Sequence, residues 1–216
     1  MRLRLLVLGL GVAAVLASAD SASAGDGVVA LQTADPACGN DSGSTYVDCG
    51  NGTVTDNRTG LVWLANADCF DGLDWYQARE IVGSLSDIPP QRFGSILAGQ
   101  DCGLSDGSSP AEWRLPSIVE LMAMVRDADG DPGELDCDPT ITNDQGDECW
   151  SVQCSATDSC SFVGVQSAYY WSATSYWGAD SSLIPGVAWV EGVQGHDSAQ
   201  SGKSSQFYVW PVRGGQ

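Results

Sequence analysis

The chain has 216 residues, and its 28 Asp and Glu outweigh 9 Lys and Arg to give a formal charge of −19. That balance repels nucleic acid, anionic lipid and sulfated polysaccharide, each of which is bound through a basic surface. Beyond the N-terminal apolar run no stretch is long enough to span a bilayer as a helix, so neither a nucleic-acid partner nor a transmembrane segment is expected.

Arg2 and Arg4 precede an apolar run from Leu5 to Leu16, and Ala22-Ser23-Ala24 is a small-x-small cleavage site. This is the three-part pattern of an export signal. Residues 1–24 are therefore expected to be removed, leaving a periplasmic, cell-surface or extracellular protein. The mature chain keeps seven basic and twenty-seven acidic residues, a formal charge of −20. Residues 25–45 read as an irregular extension, with Val28 to Leu31 as a candidate edge strand.

From Tyr46 the pattern is β. Asp48 to Gly52 is a turn, Thr53-Val54-Thr55 a short strand, and Asn57-Arg58-Thr59-Gly60 a second tight turn that is formally also a glycosylation sequon. Leu61-Val62-Trp63-Leu64 is apolar on both faces and so belongs in a central or covered strand. A helix follows, capped by Asp74 with Gln77, its buried stripe being Trp75, Ala78, Ile81, Val82 and Leu85. It stops before Pro89-Pro90. Cys69 and Cys102 bracket this excursion, and a bridge between them would pin both of its ends.

Ala111 to Leu121 is the best-defined junction in the chain. Pro116 holds Leu115 in extended backbone, and Ser117 with Glu120 forms a capping box for a helix whose stripe is Ile118, Leu121, Met122 and Val125. Strand alternation places Trp113 and Leu115 on one face and Arg114 on the other. Asp127 to Gln166 then loses periodicity, and long loops of this kind are functional or stapled. The last part returns to β at Ala168–Ser175, Gly186–Val190 and Ser204–Arg213, with Pro211 marking an edge or a strand end.

All eight cysteines lie beyond residue 24. An even set in an exported chain reads as a disulfide framework. The CxxC pairs or histidine partners of a thiolate zinc site are missing.

Several blocks occur in a fixed order: Gly52-Thr53-Val54-Thr55-Asp56 with Thr59-Gly60-Leu61-Val62-Trp63, Asn66-Ala67-Asp68-Cys69, Cys102-Gly103-Leu104-Ser105-Asp106-Gly107-Ser108, Trp113-Arg114-Leu115-Pro116 with Glu120-Leu121, Tyr170-Trp171-Ser172-Ala173-Thr174, and Pro211-Val212-Arg213. The series resembles the Lcl C-terminal domain family, named after the last domain of a Legionella collagen-like adhesin, across residues 46–214. The resemblance implies an exported or surface-associated bacterial domain, most members having no assigned activity. A fold-level likeness to formylglycine-generating-enzyme and C-type-lectin-like domains implies an α+β, C-type-lectin-like architecture. Its parts would be two helices, a twisted antiparallel sheet and long disulfide-stapled loops, with residues 127–166 carrying recognition. The Glu-Pro-Asn and Gln-Pro-Asp motifs of lectin-type sugar sites are absent.

Asp127, Asp129 and Asp131, with Asp138 downstream, are the candidate metal ligands, because alternating aspartates converge oxygens on calcium. Pro132 and Asp138 stand where an EF-hand loop has Gly and Glu, so the template is partial. Asn143 to Glu148 reads as a turn. His196 is the lone histidine, with no Gly-x-Ser-x-Gly elbow to serve it. Tyr176 and Trp177, placed just after a strand, are the candidate ligand-binding aromatics. The sequence thus reads as a non-enzymatic binding or adhesion module, with glycan or surface protein as ligand and calcium as the cofactor candidate. Self-association into a homo-oligomer is compatible with it. A structural envelope component without a small-molecule ligand is the alternative, and an enzyme on a formylglycine-generating-like scaffold the third reading.

Overall fold

Two tight turns fold the opening β region back on itself. Gly50, Gly52 and Gly60 take φ of 68°, 83° and 70°, backbone that a Cβ opposes. β1 (Tyr46–Asp48), β2 (Thr53–Asp56) and β3 (Leu61–Leu64) therefore form an antiparallel meander, and β9 (Val212–Arg213) joins β3 to complete a sheet of order β1-β2-β3-β9. β2 and β3 are buried at every position, the environment their unbroken pattern asks for. The computed structural model describes residues 38, 43–87, 102–125, 135–153, 159–179, 182–195 and 197–214, all within the compact unit of residues 32–216. The export signal, Val28 to Leu31, Asp127, Asp129, Asp131, Cys154 and His196 lie outside the described residues.

A second sheet contains β4 (Phe70–Leu73), β5 (Tyr169–Trp177), β6 (Leu183–Gly192), β7 (Asp197–Gly202) and β8 (Phe207–Val209), in the order β4-β8-β5-β6-β7. Every pairing is antiparallel except β5 with β8, which run parallel with Tyr170 opposite Tyr208. The expected single antiparallel sheet is thus two sheets with one parallel pair. The expected strand from Ser204 to Arg213 divides between them, because Trp210 turns into the core and Pro211 has no N–H to continue a ladder. β7 escapes the hydrophobic pattern because its Asp-Ser-Ala-Gln-Ser-Gly sequence is an edge with no buried position.

Both helices begin as their caps dictate. At α1 (Trp75–Ser84) the Asp74 carboxylate accepts from Tyr76 and Gln77 N–H at 3.0 and 2.9 Å, while Gln77 Oε1 accepts from Asp74 N–H. At α2 (Ile118–Val125) Ser117 N–H donates to Glu120 Oε2 at 2.6 Å and Glu120 N–H to Ser117 Oγ at 3.2 Å. α1 buries Trp75, Ala78, Ile81 and Val82. α2 buries Leu121, Met124 and Val125 but leaves Met122 exposed, so Met124 takes the place expected for Met122.

The core is aromatic. Trp210 meets Trp63 and Phe162 edge-on at 5.6 and 4.9 Å, Phe162 meets Tyr46 at 4.9 Å, and Trp171 meets Phe207 at 4.9 Å. Such contacts add about 0.5–1.5 kcal/mol each beyond area burial. The indoles of Trp75, Trp113, Trp150, Trp171 and Trp210 each donate a hydrogen bond, the last to Leu64 O at 2.8 Å.

The segment after α2 is a wall rather than a free loop. Ile141, Trp150, Phe162 and Val165 enter the core. Cys137–Cys149 staples the segment, Cys160 is disulfide-bonded, and Asn143 Oδ1 gathers the N–H groups of Gly146, Asp147 and Glu148 into a turn. Cys69–Cys102 closes the α1 excursion, and Cys38–Cys49 ties the N-terminal extension to the first turn. Among the described residues no cysteine is free, and no helix is long and apolar enough to cross a membrane.

Candidate binding site

A cavity of about 520 Å3 opens where α1, the Ala111–Ser117 segment and β5 meet. Its volume falls in the range of small-molecule sites, about 300–1,000 Å3. Trp75 forms one wall and Trp113 with Leu115 another, while Ala173 and Ser175 project from β5. The junction is fixed by main-chain bonds: Ala173 N–H donates to Pro116 O at 2.7 Å, and Ala111 N–H to Gly83 O at 2.8 Å. Ala111 holds φ of 73° without being glycine.

Two cations meet at Trp75 in a strongly acidic chain, Arg79 lining the cavity and Lys203 backing it. Arg79, one helical turn beyond Trp75, places its Cζ 4.8 Å from the Trp75 ring centroid. From the turn after β7, Lys203 places its Nζ 3.7 Å from the same centroid and donates to Ser175 Oγ at 2.9 Å. Lys203 is only 7% exposed. Its main chain is part of the construction too, since Trp75 N–H, at the start of α1, donates to Lys203 O at 3.0 Å. Burial first, and then the charge of Arg79, pull the Lys203 ammonium below its ordinary pKa. Neither Arg79 nor Lys203 is ion-paired to a carboxylate among the described residues. Arg114, also on the wall, is already held by Glu120 in a two-pronged contact at 2.8 and 2.6 Å.

The aromatics expected to bind ligand lie elsewhere on β5. Tyr176 and Trp177 are within the strand, not after it. Tyr176 is half-buried against Trp189, ring centroids 5.5 Å apart, whereas Trp177 is 58% exposed and pairs across the hairpin with Leu183. Leu183 and Ile184 are exposed beside it. Of the expected metal ligands only Asp138 is described; it is exposed and accepts from Ser167 Oγ. Among the described residues no group of three His, Cys, Asp or Glu side chains is placed to hold a metal ion.

Sequence reasoning passed over the cavity because its lining comes from three separate segments and Lys203, which backs it, from a fourth. The usable signal was the scarcity of basic residues together with the Trp75–Arg79 spacing, which puts a cation one turn above an indole. The Lys203–Ser175 contact has the spacing of a serine–lysine pair. A general base needs the neutral amine, which burial and Arg79 favour and the indole face under Nζ opposes. Arg79 and Lys203 make this corner of the molecule locally positive.

Comparison with curated proteins returns no match. The sequence profile described as the Lcl C-terminal domain matches residues 52–213, three quarters of the chain. That span runs from the glycine before β2 to the arginine that closes β9, and takes in every strand but β1, both helices and the cavity. The chain belongs to the Lcl C-terminal domain family.

Proposed function

We propose that the protein is an exported adhesion module that binds a partner through the outer end of the β5–β6 hairpin. The observation that carries this is the cross-strand pair of Trp177 and Leu183, 58% and 44% exposed, with Ile184, 38% exposed, next along β6. Contiguous exposed apolar surface on a soluble domain marks an interaction site, and tryptophan is the residue type that most often anchors one. Aliphatic neighbours favour a protein partner. A glycan is the second reading, supported by the half-exposed Tyr176–Trp189 pair, whose rings could stack on a sugar face. Family membership supports a surface adhesion role without catalysis, and the disulfides support export, since such bonds persist in oxidising compartments. The two helices, the strand pairing of β3 with β9 and the stapled 135–165 segment support a C-type-lectin-like scaffold.

The test is adhesion of beads coated with the mature chain to protein and glycan surfaces, compared with a Trp177→Ser, Leu183→Ser variant. The expected result is at least tenfold lower adhesion with an unchanged melting temperature. Undiminished adhesion would remove the hairpin from the account and favour a structural envelope role. Calcium ordering of Asp127, Asp129, Asp131 and Asp138 belongs to the same proposal. It predicts a calcium-dependent rise in melting temperature that is lost in an Asp129→Ala, Asp131→Ala variant, by mass action of a ligand on the folded state.

A further inference from the structure

Lys203 poses a problem of charge. A lysine whose side chain is largely covered by its neighbours is often matched by a carboxylate, because even partial desolvation of an unpaired charge is costly. Here its polar contact is one neutral hydroxyl, Ser175 Oγ at 2.9 Å, and the nearest partner of other kind is the Trp75 face at 3.7 Å. The second cation, Arg79, shares that indole rather than neutralising it. Among the described residues that line the cavity there is no carboxylate. A cavity lined by Arg79, backed by Lys203 through its contacts with Trp75 and Ser175, and bordered by two indoles for an apolar or ring-shaped body, is complementary to an anion.

The rest of the molecule limits which anion. At a formal charge of −19 the chain repels each added negative charge on a ligand, so a polyanion gains little from two local cations. A single carboxylate suits the planar fork of Arg79, with the Lys203 charge standing behind Trp75 and Ser175, and it leaves the remaining volume to the body of the ligand. We infer that the Trp75–Trp113 cavity is a binding site for a small organic monocarboxylate, its charge drawn to Arg79 and Lys203 and its body laid against the two indoles. This site is separate from the hairpin end and stands or falls independently of it.

Calorimetric titration of the full mature chain tests the inference with phenylacetate and glucuronate as probes, and with phenylethanol, glucose and inorganic phosphate as controls. At least one carboxylate should bind, its neutral counterpart and phosphate at least tenfold more weakly. Arg79→Ala, an exposed substitution, and Lys203→Met, which keeps the buried stem, should each weaken that binding at least tenfold. Tighter phenylacetate would identify an apolar acid as the source of the carboxylate, and tighter glucuronate a sugar acid. Absence of binding by both acids at millimolar concentration, equal binding of the neutral analogues, or unchanged affinity in Arg79→Ala would overturn the inference. Should Lys203→Met lower the melting temperature sharply, Arg79→Glu replaces it, with the same loss expected.

Discussion

Arg213 Nη2 lies 3.2 Å from Asp106 Oδ2 with both side chains out of solvent, the arginine 9% exposed and the aspartate not at all. The pair ends a chain of contacts: Trp113 Nε1 donates to Ser108 Oγ at 3.0 Å, Ser108 Oγ donates to Asp106 Oδ1 at 2.6 Å, and Arg213 Cζ stands 5.5 Å from the Trp113 ring centroid. Removing one member of a buried ion pair leaves the other uncompensated, at a cost of about 3–5 kcal/mol. Asp106→Ala should lose stability on that scale in urea denaturation. Adding Arg213→Met should recover much of it; a double variant as unstable as the sum of the singles would show that the two charges do not act as a pair.

Glu120 gives the chain a defined acid sensitivity. Burial raises its pKa, but the hydrogen bonds from Arg114 and from Ser117 outweigh that and hold the carboxyl below its ordinary value of 4.5. A depressed folded-state value means that the unfolded chain takes up the proton first. The stabilisation is therefore complete above the ordinary value and is lost as pH falls through the lower, folded one. Glu120→Gln should show a flatter melting temperature between about pH 5 and 3 than the parent chain. Ser117→Ala, which removes the cap hydroxyl and with it one of the contacts that depress Glu120, should cost about 1 kcal/mol near neutral pH and less once Glu120 is protonated.

Gly52 tolerates no side chain. At φ of 83°, a Cβ would stand 2.3 Å from Gly103 O. Left-handed backbone costs an alanine about 1–2 kcal/mol, and overpacking adds about 1–3 kcal/mol. Gly52→Ala should therefore destabilise far more than Gly60→Ala, whose Cβ would meet nothing within 4 Å at φ of 70°. Parallel thermal melts of the two variants separate the clash from the backbone strain.

The Cys69–Cys102 bridge spans 33 residues. Closing a loop of that length in the unfolded chain is worth about 3–4 kcal/mol in the chain-entropy estimate. Cys69→Ser, Cys102→Ser should lose about that much in denaturant titration. A loss below 1 kcal/mol would mean that the packing of α1 alone fixes the excursion.

What the sequence disclosed was local. Asp74 and Ser117 announce their helices because cap chemistry acts within four residues, and Leu61 to Leu64 announces a covered strand because burial on both faces writes an unbroken apolar run. β7 stayed silent because an edge with no buried position needs no apolar residue. The division of residues 207–213 between two sheets stayed silent because Trp210 reads equally well as a strand position or as a core anchor. The cavity was hidden for a related reason: Arg79, Ser175 and Lys203 become neighbours only when α1 docks across β5 and the turn after β7. The blocks around Asp106, Trp113 and Arg213 were visible one by one, but not that they meet.

Residues 207–213 supply a strand to each sheet, β8 between β4 and β5 and β9 against β3. A ribosome that has yet to add them holds a chain in which neither sheet is finished and Trp63 lacks the indole it packs against. Contacts of such long sequence separation form slowly. The order of synthesis is therefore uncoupled from the order of folding: the β1–β3 meander can pair early, but it closes only when the last strands arrive. Until then the chain stays open and threadable.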